Sequence, residues 1–144
     1  MYKWTGQNTI VGYFFPINES TWEHLKLLFF PTLIFSILEY NFVKREIKNY
    51  APSITVSVIT GMLSIIALFY TYSGVLGYFI DSINIATYYI SLIIMLIVKN
   101  RFIVKEKLSG QNSNVISLAI LFAITLLFIL FTYNPPNLAI FKTP

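Results

Sequence analysis

Apolar residues fill four stretches of this chain, roughly Leu25–Val43, Ile54–Tyr72, Ser82–Val98 and Val115–Tyr133, with polar residues gathered between them. Each stretch is close to the ~20 residues that carry a helix across ~30 Å of hydrocarbon. The pattern predicts an all-α fold, a polytopic membrane bundle of four transmembrane helices near 20–43, 54–72, 82–98 and 114–133. Together they make a single membrane domain over residues 1–144. A shorter apolar stretch, Ile10–Pro16, is too short to span. It predicts an interfacial N-terminal segment, or one folded over the bundle mouth. Tyr2 and Trp4 suit surface anchors.

Within these stretches, local signals refine the picture. Ser20-Thr21-Trp22-Glu23 reads as a capping box, with the Ser20 hydroxyl on the Glu23 amide and the Glu23 carboxylate reaching back. Pro31 falls inside the first run and predicts a kink, with its freed carbonyl satisfied by a neighbouring helix. The second run carries a stripe of small residues, Ser53, Ser57, Thr60, Gly61, Ser64 and Thr71. Such a stripe serves close helix packing, or lines a polar path. In the third run Asp81, Asn84, Tyr88 and Ser91 share one helix face. Polar faces in membrane helices point to the bundle interior or a wet cavity. Asp81 also reads as an N-cap. The fourth run is almost wholly aliphatic and Phe, so it is expected to be the most lipid-exposed. After it, Asn134-Pro135-Pro136-Asn137 is expected to run extended along the outer surface.

Composition agrees: 56% of residues are hydrophobic and only 11% charged. A soluble domain carries about 25% charged residues. The net charge of +4 does not indicate nucleic-acid binding, because the basic residues flank membrane segments. Seven of the ten, Lys44, Arg45, Lys48, Lys99, Arg101, Lys105 and Lys107, fall in two alternate loops. The positive-inside rule makes loops 44–52 and 99–114 cytoplasmic, in a bacterial plasma membrane. There is no cysteine, which excludes disulfides, thiolate zinc sites and iron–sulfur clusters.

Candidate chemistry is sparse. Glu19, Glu23 and His24 stand at the outer start of the first helix, at the depth of Asp81, Asn84 and Tyr88 in the third. Carboxylates beside a histidine can bind a divalent cation or exchange protons, although the same carboxylates also read as cap and surface residues. These six are the candidate binding residues of an outward-facing polar vestibule. His24 is the only histidine, which rules out a paired-histidine zinc motif. No Gly-x-Ser-x-Gly is present. No motif names a cofactor or a metal. Glu39, late in the first helix, is expected to pair with Lys44 or Arg45 or to reach the interface.

The string Asn18-Glu19-Ser20-Thr21-Trp22-Glu23-His24 resembles an uncharacterised family of small multipass membrane proteins of Gram-positive bacteria. Leu38-Glu39-Tyr40, Tyr70-Thr71-Tyr72-Ser73-Gly74 and Tyr133-Asn134-Pro135-Pro136 carry the same resemblance. Members of that family usually have a further hydrophobic helix ahead of the Tyr-x-Trp segment, which would put the native N-terminus inside. The resemblance implies no activity. Three classes remain: a protein that binds or transports a small solute or ion, a membrane-embedded metal-dependent enzyme, and a partner subunit without a ligand site. The expected partners are the lipid bilayer, a small solute or ion, and a second copy or another membrane protein.

Overall fold

The computed structural model describes residues 6–43, 46–106 and 108–143. Tyr2, Lys3, Trp4, Lys44, Arg45 and Lys107, on which some expectations rest, lie outside them. Among the described residues helices are the only regular elements, with no strand: a short α1 (Thr9–Phe14), then α2 (Thr21–Val43), α3 (Tyr50–Leu76), α4 (Asp81–Val104) and α5 (Gln111–Tyr133). The last four are long and apolar enough to cross a membrane, which makes this a multi-pass membrane protein. We call the end holding the 44–49 and 105–110 connections the basic end, and the opposite end, where α2 and α4 begin, the capped end.

The helices outrun the apolar stretches because helix geometry does not stop at the hydrocarbon edge. α3 starts at Tyr50, with Pro52 in its first turn where the missing amide costs nothing. It ends on Gly77, whose φ of 73° makes a left-handed cap, with its amide donating to the Ser73 carbonyl at 2.8 Å. A β-carbon resists that backbone conformation. The chain then turns at once into α4, and the two helices form the most extensive pair.

α3 is the hub, packing against α2, α4 and α5. Its small-residue face is a packing face. Ser57 and Gly61 are buried, and a β-carbon on Gly61 would sit 3.1 Å from Met95 Cβ and 3.4 Å from Leu28 Cδ1. Ser53, Ser57, Thr60, Ser64 and Thr71 donate to carbonyls of their own helical turns. Thr55 also reaches across, to the Ser117 carbonyl of α5 at 3.3 Å. The hydroxyls are thus satisfied locally, and what the stripe contributes is close approach.

Of three expectations from the sequence, the last changes. α5 has the largest exposed share of the four long helices, as its aliphatic composition suggests, yet it buries Ser117, Leu121, Phe128 and Thr132. Its buried residues form one face, set by its aromatic contact with α2. Residues 134–137 carry no helix, as their two prolines require, and the tail continues beyond them. A 3-10 turn at Ala139–Phe141 folds it back and seats Phe141 on Trp22, ring centroids 4.8 Å apart. Only the first arm of the capping box forms: the Glu23 amide donates to Ser20 Oγ at 3.4 Å. Asn18 Oδ1 takes the Ser20 amide at 2.9 Å, leaving the Glu23 carboxylate free for other partners.

Candidate functional site

The capped end is closed by a buried ion pair. Lys26 and Glu23, one turn apart on α2, meet at 2.8 Å with both side chains almost fully buried. The Lys26 ammonium also donates to Thr132 Oγ1 of α5 at 2.7 Å and to the Gly12 carbonyl of α1 at 3.2 Å. Three N–H donors have three acceptors, so the cation is fully satisfied. Glu23 accepts the Ile17 amide at 3.1 Å. The segment from α1 to Ile17 is thereby strapped across the capped end, with Tyr133 donating to the Thr9 carbonyl at 3.1 Å. Lys26 was not among the candidates read from the sequence. The signal was there: a cation inside an apolar run, three residues after a carboxylate.

The six candidates are spread over separate local contacts. Glu19 is exposed before α2. Glu23 belongs to the Lys26 pair. His24 sits with Nδ1 3.0 Å from the Ser20 carbonyl, which can only accept, so Nδ1 carries the proton. Asp81 is exposed in the first turn of α4, where the helix dipole favours it; Ile80 holds the N-cap position. Asn84 Oδ1 accepts the Tyr72 hydroxyl of α3. Tyr88 donates to the Leu27 carbonyl of α2 at 3.2 Å. Among the described residues no three His, Asp or Glu side chains come together as a metal site.

At the other end Glu39 ties three helices together. Its carboxylate accepts Lys99 of α4 at 2.5 Å and the Tyr50 hydroxyl of α3 at 2.6 Å. Lys44 and Arg45, its expected partners, are outside the described residues. The Lys99 ammonium also lies 5.3 Å from the Tyr50 ring centroid.

Beside this node lies a cavity of about 490 Å³, within the size range of small-ligand sites. It opens between α2 and α5, with the start of α3 as its floor. Leu33, Ile54 and Leu121 line its depth, and Asn41, Lys48 and Gln111 its rim. Its origin is the uneven α2–α5 contact. Towards the capped end Phe128 stacks among Trp22, Phe29 and Phe30, with ring centroids 4.7, 5.2 and 5.8 Å away. Towards the basic end α2 offers Ser36 to the bundle and leaves Ile34, Phe35, Ile37 and Leu38 exposed. None of the six candidates lines this cavity. It lies at the opposite end from the vestibule that the sequence suggests.

The family model described as "Family of unknown function (DUF6512)" matches residues 1–144, and the chain belongs to that family. No curated protein and no solved structure matches the chain.

Proposed function

We propose that this DUF6512 protein is a ligand-binding protein of the bacterial plasma membrane, with its basic end in the cytoplasm and its ligand site in the cavity between α2, α3 and α5. The observation that carries the reading is the cavity itself: an apolar depth with a polar, cationic rim at one membrane face. Orientation is supported by charge. Seven of the ten basic residues lie at that end, in the connections or the last turns of α4, against three acidic residues, Glu39, Glu46 and Glu106. The resemblance to multipass proteins of Gram-positive bacteria supports the compartment. Binding is favoured over catalysis because Glu23 is committed to Lys26 and His24 to the Ser20 carbonyl.

The test uses delipidated protein in detergent, to which bacterial polar lipid extract is added. A ligand that binds only the folded state raises Tm. Ala51 lines the cavity, and Ala51→Phe fills it. Wild type should gain several degrees and Ala51→Phe none. Equal gains in both would place the effect elsewhere on the surface.

A further inference from the structure

We infer that the cavity holds one acyl chain of an anionic phospholipid from the leaflet at the basic end, with its headgroup beside Lys48 and Asn114. This rests on the reading of the cavity as a ligand site and names its ligand class.

Depth selects the occupant. From Asn114 near the rim to Leu121 in the depth of the cavity is seven residues of α5, a rise of about 10 Å. Half a hydrocarbon layer is ~15 Å, so the cavity serves one leaflet. A spanning helix from a partner would need a groove along the whole bundle, but Trp22, Phe29 and Phe30 close the capped half against Phe128. An acyl chain needs only the open half. Its walls there, Leu33, Ile37, Ile54, Leu118 and Leu121, offer carbon to carbon.

The rim selects the headgroup. Lys48 is exposed and forms no ion pair among the described residues. Among the described residues it is the one charged side chain of the cavity lining, and its charge calls for an anion. Asn114 donates through Nδ2 to the Lys48 carbonyl at 3.2 Å. That bond holds the Lys48 backbone against α5 at the rim. Phosphatidylglycerol, an anionic phospholipid, carries the phosphate that the Lys48 ammonium calls for.

The experiment reconstitutes the full chain in nanodiscs of equal phosphatidylglycerol and phosphatidylcholine, one or the other carrying a mid-chain diazirine. Cross-linked peptides are mapped by mass spectrometry. Phosphatidylglycerol should label the segments around Leu33–Ile37 and Leu118–Leu121 in clear excess over phosphatidylcholine. Lys48→Gln, an exposed change that spares the fold, should cut that preference about five-fold, the worth of one basic residue at a membrane surface. Ala51→Phe should remove that phosphatidylglycerol excess from both segments. Equal labelling by the two lipids would overturn the anionic headgroup while leaving a ligand site in the cavity. Labelling of the exposed Phe122 and Leu130 face by both lipids, with none in the cavity, would overturn both readings. Ready oxidation of Ile37→Cys to a chain-to-chain disulfide would put a second copy in the groove and overturn the lipid.

Discussion

Tyr88 of α4 donates a hydrogen bond, 3.2 Å long, to the Leu27 carbonyl, the acceptor that Pro31 leaves without its helical amide. A helix interior proline frees the carbonyl four residues back, and in a membrane another helix must satisfy it. One residue of the polar stripe on α4 is thereby explained as structure. Removal of the hydroxyl by Tyr88→Phe should cost about 0.6 kcal/mol, the average for hydrogen bonds between membrane helices. In Pro31→Ala the amide returns to Leu27, and Tyr88→Phe should then cost almost nothing. Thermal unfolding of the four proteins in detergent gives the coupling; equal costs in both backgrounds would count against it.

The Lys26–Glu23 pair makes a sharper prediction. Lys26→Met leaves a buried carboxylate without its cation, which costs about 3–5 kcal/mol. Adding Glu23→Gln removes the stranded charge and keeps an acceptor for the Ile17 amide, so most of the stability should return. If Lys26→Met melts like wild type, the pair is not buried as described.

Gly61 tests the packing of α3. Its β-position lies 3.1 Å from Met95 Cβ, so Gly61→Leu overpacks the contact at a cost of about 1–3 kcal/mol. Met95→Ala in the same chain should recover part of that loss. A Gly61→Leu protein with unchanged Tm would show that the face meets lipid and not α4.

Four helices and two basic loops are legible in the sequence because hydropathy is a local property. The contacts that define the site are not local. Lys26 reads as a surface charge until Thr132, over a hundred residues away, and Gly12 are brought beside it. Ser20 and Glu23 predict a capping box, but Asn18 competes for the same amide and frees the carboxylate for Lys26. The cavity is less legible still. It depends on α2 and α5 meeting through Trp22, Phe29, Phe30 and Phe128 at one end and diverging at the other, and no residue pattern within either helix encodes that separation.

Orientation can be read with single cysteines, since the chain has none. Ser109→Cys places a thiol at the basic end and Gly74→Cys one at the capped end. An impermeant maleimide on intact cells should label Gly74→Cys and spare Ser109→Cys until the membrane is opened. The reverse pattern would invert the topology.

The central claim is that the cavity between α2, α3 and α5 is occupied by a membrane lipid. Native mass spectrometry of protein released from bacterial membranes counts what stays bound. Wild type should retain one anionic phospholipid per chain, and Ala51→Phe should retain none. Equal retention by the two proteins, or none by either, would contradict the account.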